Sequence, residues 1–290
     1  MQSGWTGETG RWKQMLAGGG LLFALTATAE AATYYVAPTG SDANPGTEAQ
    51  PFRTIEKGIS VLNSGDTLLI ENGTYHELIR GIPSGTSWTS AVTIRAKNRQ
   101  QAIIQPPIGA TTCLASGNNT LLAFTGNTSY VILDGLVLDG NNICPSILAF
   151  RSSGGAQTGE QYHHIRILNN ELKNFRVTSC CGTGMLAGGH LGTNRAYNIE
   201  IRNNHIHHFA GTDPDDAYHC IYFRADDSLI EGNYIHDCPG SGITFHHNTG
   251  HVATNITVRN NIIHDTVTGP CIRLAGDNHT AYNNICYNAG

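Results

Sequence analysis

The residues of this chain that could do chemistry fall into two rows. The first lies on three similar segments: Cys220-Ile-Tyr-Phe-Arg224, Gly242-Ile-Thr-Phe-His246 and Cys271-Ile-Arg-Leu-Ala275. Strand alternation turns Ile221, Phe223, Ile243, Phe245, Ile272 and Leu274 inward. It turns Tyr222, Arg224, Thr244, His246 and Arg273 outward, with His219 at the strand's entry. The loop before the first segment reads Gly211-Thr-Asp-Pro-Asp-Asp216. Cations and carboxylates beside one face suit an anionic sugar chain. Removing the proton beside a sugar carboxylate takes a base, a positive group on that carboxylate and a proton donor for the leaving oxygen. Arg224, His246 or His219 could be the base. Arg273 or a bound Ca²⁺ could neutralise the carboxylate. Asp213, Asp215 and Asp216 offer the hard oxygens that Ca²⁺ takes. The same acidic run is also ordinary turn chemistry, and its spacing is not that of an EF-hand loop.

The second row is Lys173, His207, His236 and His264, with Asp237 and Asp265 following two of them. If these residues share a position on successive strands about 4.8 Å apart, they form a ladder. Histidine ladders can bind transition metals. The regular return of Ile-His-Asp instead assigns this one to holding coil against coil. Lys173 is the only lysine in the repeats and stays a candidate base.

Both rows presuppose a repeating element, and the sequence has one. Ile201-Arg-Asn-Asn-His-Ile-His207 returns as Ile230-Glu-Gly-Asn-Tyr-Ile-His236 and Val258-Arg-Asn-Asn-Ile-Ile-His264. Weaker copies are Ile132-Leu-Asp-Gly-Leu-Val-Leu138, Ile167-Leu-Asn-Asn-Glu-Leu-Lys173 and Ala281-Tyr-Asn-Asn-Ile-Cys-Tyr287. The spacing shortens along the chain while the motif persists, so loops of varying length interrupt a constant strand-turn-strand unit. Three short strands per coil, each burying one apolar face, make a solenoid of parallel strands. Asn or Gly suits the sharp turn, with Gly135, Asn170, Asn204, Asn233, Asn261 and Asn284 as the column. Stacked amides can bond one coil to the next. Ahead of the repeats, Phe52, Ile55, Ile59 and Leu62 lie at helical spacing, which predicts a helix at 51–63 covering the open end of the core.

Composition agrees. Of 290 residues, 40% are hydrophobic and 13% charged, which excludes a disordered chain and a long-helix protein. Lys+Arg 17 against Asp+Glu 22 gives a net charge of -5, which argues against a nucleic-acid partner. Arg11 and Lys13 precede an uncharged run from Met15 to Ala29, then Ala29-Glu-Ala31, which reads as a signal peptide over 1–31. With no second long apolar run, the expected product is a soluble monomer that is secreted, periplasmic or on the cell surface. All 8 cysteines lie beyond the cut, where disulfides are permitted, and their connectivity stays open.

Tyr34-Tyr-Val-Ala-Pro-Thr-Gly-Ser-Asp-Ala-Asn-Pro-Gly-Thr47, Pro51-Phe52, Gly65-Asp-Thr67 and Asn72-Gly-Thr-Tyr75, with the Asn-x-Ile-His repeats, resemble secreted right-handed parallel β-helix proteins of the pectate-lyase-like superfamily. The resemblance runs from about Thr33 to Gly290 and is specific for the fold rather than an activity. It implies an all-β chain: an extended segment and capping helix over 32–65, then a single-stranded solenoid of three parallel sheets over 66–290. It places the Asn column between the second and third sheets, and a substrate groove along the first, beside the longest loops. It also implies an acidic polysaccharide as partner and a lyase as the activity. A non-catalytic glycan-binding or cell-surface module is the alternative, and a uronan C5-epimerase a third. Some β-helix lyases use lysine as base, which keeps Lys173 in play. The Asp-Pro-His-Asp signature of mannuronan epimerases is not met, since position 215 is Asp. The paired aspartates and Gly-His-Gly of polygalacturonases are absent too. The sequence stops in mid-repeat, so the expectation is a fragment, with part of the groove outside it.

Overall fold

Three stacked parallel sheets carry nearly all the regular structure. A computed structural model describes Met1 and residues 30–115, 118–150, 159–176, 183–189, 194–210, 218–245 and 252–290. The expected signal segment up to residue 29, Cys180, Cys181, Asp213, Asp215, Asp216 and His246 lie outside the described residues. Ala31–Gly290 forms one unit, and among the described residues no helix is long and apolar enough to cross a membrane.

Among the described residues the second sheet has nine strands, the third eight and the first six. Each coil visits them in turn: Arg195–Arg202 on the second, His205–Ala210 on the third, Tyr218–Arg224 on the first. The next coil repeats this with Leu229–Glu231, Tyr234–Cys238 and Ile243–Phe245. Pairing is in register, as in Ile201↔Ile230↔Val258 and Ile221↔Ile243↔Ile272. Like therefore stacks on like, and Ile206, Ile221, Phe223, Ile235, Ile243, Phe245 and Ile263 are fully buried. Ile272 and Leu274 depart from expectation, Ile272 being partly buried and Leu274 39% exposed. Leu274 follows the last first-sheet strand, Ile272–Arg273, where no described strand is stacked beyond it.

The turn column is a chain of buried amides. Oδ1 of Asn233 accepts from the backbone N–H of Asn204 at 2.9 Å and from its Nδ2 at 3.0 Å. The same pair of bonds joins Asn233 to Asn261 and Asn261 to Asn284. The left-handed residue is the one before each ladder amide: Asn169, Asn203, Gly232, Asn260 and Asn283, all with φ between 54° and 67°. The earliest copy is shifted by one from the sequence reading. Gly135, with φ 73°, takes the left-handed place, and Leu136 takes the rung, donating its N–H to Asn170 Oδ1. Glycine and asparagine are interchangeable at the left-handed position, which is why the motif alone could not fix that register.

The capping helix is shorter than predicted, Ile55–Ser60, with Thr54 as N-cap. Phe52, Ile55, Ile59 and Leu62 are buried as the helical spacing required. Gly58 lets the helix lie against the first coil, since a Cβ there would meet Leu68 Cδ1 at 2.6 Å. The strand Thr33–Val36 already pairs in parallel with Thr67–Ile70, so the second sheet begins inside the segment expected to be a separate extension. Three disulfides are formed among the described residues: Cys113–Cys144, Cys220–Cys238 and Cys271–Cys286.

Candidate functional site

The first sheet brings the expected outward row together. Tyr222 pairs with Thr244, and Thr244 with Arg273, so the three stand in one column. Arg224 donates from Nη2 to Tyr222 Oη, and its guanidinium lies 5.2 Å from the Tyr222 ring centroid. The His219 ring stacks on Tyr222 at 5.4 Å and 14°. Nδ1 of His219 accepts the backbone N–H of Ser241 at 3.2 Å, so the proton of the neutral ring sits on Nε2.

Exposure on this row differs from the alternation reading. Tyr222 is 9% exposed, Arg224 6%, His219 3% and Thr244 1%, while among the described residues of the row Arg273 alone is open to solvent. Period-two patterning reports which side of a strand a residue takes, and it is blind to whether that side is covered.

The third sheet carries the second row. Lys173 pairs with His207, and His236 with His264. Rings stack up the column, His207 on His236 at 5.1 Å and His236 on His264 at 5.0 Å. The local backbone explains the Ile-His-Asp pattern. Asn174, His208, Asp237, Asp265 and Asn288 all have φ between 48° and 58°, a left-handed residue in each successive strand. Asp and Asn tolerate that conformation, and from it each aspartate reaches back to the preceding ring. Asp237 Oδ2 lies 3.0 Å from His236 Nδ1, and Asp265 Oδ2 2.8 Å from His264 Nδ1.

Sequence reasoning missed Glu171 and His205 here. Glu171 Oε1 accepts from Lys173 Nζ at 2.9 Å and lies 3.0 Å from His207 Nε2. The His207 contact, helped by Lys173, holds the Glu171 carboxyl down at about 2 against the opposing effect of burial. His205 packs on His207 with ring centroids 3.8 Å apart. Burial, then the neighbouring His207 and His236, push the His205 imidazole down to about 4. Burial also lowers His236, though Asp237 opposes it. The signal for His205 was in the sequence: His205 and His207 are two apart and must share a face. A depression of about 370 Å³ adjoins this row, lined in part by Asp237, Asp265 and Phe209.

On the second sheet an aromatic patch gathers Trp88, Tyr130, His163, His164 and Tyr197. Arg166 lies over Trp88 at 3.7 Å, and its Nε bonds Glu200 at 2.9 Å. Burial lowers His163 and His164, helped by charge from His164 and Arg166 respectively.

Residues 134–290, more than half of the chain, match the family model described as right handed beta helix region. Residues 38–81 match one described as protein of unknown function (DUF1565). The uncharacterized protein YwoF of Bacillus subtilis (strain 168) is 26% identical over 145 residues, 50% of this chain and 29% of that protein. The GH136 lacto-N-biosidase of Eubacterium ramulus, as its selenomethionine derivative, superposes with a TM-score of 0.54 at 14% identity, over 88% of this chain and 56% of its own. An alginate lyase of Paenibacillus sp. str. FPU-7 gives a TM-score of 0.48 at 14% identity, over 89% and 77%. The chain spans less than two thirds of the length of YwoF and of the biosidase. The family-model match and the biosidase superposition establish the fold.

Proposed function

We propose, for a chain that belongs to the right-handed β-helix family, that it is an exported carbohydrate-active protein that takes a uronate-bearing polysaccharide and cleaves it by β-elimination. One observation carries the reading: Arg224, Tyr222 and His219 are joined on the outward row of the first sheet. Tyr222 Oη, as the phenolate with the Arg224 guanidinium as its counter-charge, takes the proton from C5 of the uronate, and the negative charge passes to the sugar carboxylate. Arg224 also suits the sugar carboxylate, as a two-pronged donor. The C–H electron pair becomes the C4–C5 double bond as the C4–O bond breaks. The Nε2–H of His219 is of the type the departing oxygen needs. His246 and Arg273 extend the row, and Lys173 on the third sheet is the competing base. Asp213, Asp215 and Asp216 have the chemistry to hold Ca²⁺, which would supply positive charge near the carboxylate. A C5-epimerase would share the first step and differ in returning a proton to C5.

The burial of this row favours a second reading, a glycan-binding module without catalysis, because a sugar must reach Tyr222 at 9% exposure. A panel of uronans, incubated with and without EDTA, separates the two. Ultraviolet absorbance from an unsaturated uronate supports elimination. Retention in a glycan-loaded gel with no such absorbance supports the module.

A further inference from the structure

We propose that His205, His207 and His236 on the third sheet form a site for a transition-metal cation of the Zn²⁺, Ni²⁺ or Cu²⁺ type. A ligand-capable atom from each lies within 4.8 Å of the others, and among the described residues no other trio of His, Cys, Asp or Glu meets that spacing. The coil geometry produces it. His205 and His207 occupy alternate positions of one strand and share its outward face. His236 comes from the neighbouring strand, whose register is set by Ile206↔Ile235.

Two ring nitrogens already face one another, His205 Nε2 and His236 Nε2 at 2.8 Å. Asp237 Oδ2 accepts from His236 Nδ1, which leaves the lone pair of that ring on Nε2, toward His205. A carboxylate behind a histidine in this way is what orients imidazoles on metals and fixes their tautomer. Glu171 Oε1 contacts His207 Nε2, and His207 Nδ1 meets Nδ1 of His208, which an ion would displace. Metal–nitrogen bonds of about 2.0–2.1 Å at tetrahedral angles separate two ligands by roughly 3.4 Å. An entering ion therefore spreads the His205–His236 pair by well under a bond length, within reach of side-chain rotation. Glu171 and Asp237 against Lys173 leave the patch with formal negative charge, which a cation offsets. Imidazole donors select Zn²⁺, Ni²⁺ or Cu²⁺ over Ca²⁺, so this site is separate from the carboxylate loop. It also stands apart from the first-sheet reaction.

The test uses the untagged full chain, stripped with chelator, dialysed and titrated with Zn²⁺ by calorimetry near neutral pH. The expected result is a single Zn²⁺ per chain, lost in the H205A/H236A double variant and kept in His163→Ala on the second sheet. Asp237→Asn leaves all three rings in place and is expected to weaken binding roughly 10- to 100-fold. It decides the matter should the double variant fail to fold, as judged by thermal unfolding in chelator. Absence of Zn²⁺ binding by the wild type, or unchanged affinity in both the double variant and Asp237→Asn, overturns the site.

Discussion

Oδ1 of Asn204 accepts twice from Asn170, from its backbone N–H at 2.9 Å and from its side-chain amide at 3.2 Å. Nδ2 of Asn204 in turn donates to Ile167 O at 2.8 Å and to Asn233 Oδ1 at 3.0 Å. Asn204 is 1% exposed, so water cannot replace these partners. Each buried polar group left without a partner costs about 1–3 kcal/mol. Asn204→Ala is expected to lower stability by about 3 kcal/mol, measured from urea midpoints. A change below about 0.5 kcal/mol, typical of surface substitutions, would show that the ladder does not hold the coils together.

Phe245 is fully buried, whereas Leu274, one coil on, is 39% exposed. Phe245→Ala is expected to cost about 3–5 kcal/mol as a large-to-small core change. Leu274→Ala should cost less than about 1 kcal/mol, because it empties no enclosed space. Equal losses in chemical denaturation would contradict the difference in burial between the two positions.

Tyr222→Phe keeps the ring and removes the oxygen that Arg224 contacts. If Tyr222 is the base, elimination should slow by about 10²–10⁴-fold in kcat, with KM little changed. Arg224→Ala is a poorer probe than its outward position promised, because at 6% exposure it is expected to destabilise as well. Arg224→Lys keeps the charge and loses the planar fork, so it separates the two effects. Full activity in Tyr222→Phe would move the search to Lys173.

EDTA strips both cations considered above, so the order of return is informative. If Asp213, Asp215 and Asp216 hold Ca²⁺, activity lost in EDTA should return with Ca²⁺ and not with Zn²⁺. Recovery with Zn²⁺ alone would tie the reaction to the histidine trio.

Acid should unfold the metal-free protein in two stages. His205 is held at about 4, below its ordinary 6.5. The folded state thus resists its protonation, and stability present above 6.5 is lost as pH falls toward 4. Glu171 is held at about 2 against an ordinary 4.5, so its contribution is lost between 4.5 and 2. Urea midpoints measured with chelator present should fall across both windows. The upper decline should flatten in His205→Gln and the lower one in Glu171→Gln.

The solenoid was legible because its repeat is written in residue types with few substitutes. Asn204, Asn233 and Asn261 recur as stacked partners, and Ile221, Ile243 and Ile272 as a paired column. The direction of Tyr222 and Arg224 was legible for the same reason. Their burial was not, because whatever covers an outward face leaves no periodic mark on the strand beneath it. Asp237 and Asp265 read as coil-to-coil contacts, and Asp265 Oδ1 does accept from Asn288 Nδ2 of the next coil at 3.1 Å. What the sequence did not show is that Oδ2 of each also turns onto the histidine before it, since a left-handed residue bends the strand locally. Glu171 acts on His207, which lies 36 residues away in sequence, and only the register of adjacent coils brings them together.

The three disulfides share a feature with a mechanical consequence. Each joins one coil to the next: Cys220 on a first-sheet strand to Cys238 on the following third-sheet strand, and Cys271, just before a first-sheet strand, to Cys286 on the following third-sheet strand. A solenoid pulled from its end would otherwise peel turn by turn, like a spring unwinding under load. Here the coils joined by Cys220–Cys238 and by Cys271–Cys286 cannot part under oxidising conditions before force meets a covalent bond. Stretching an oxidised molecule in an optical trap should give an abrupt stiff response where the reduced one lengthens in steps, coil after coil.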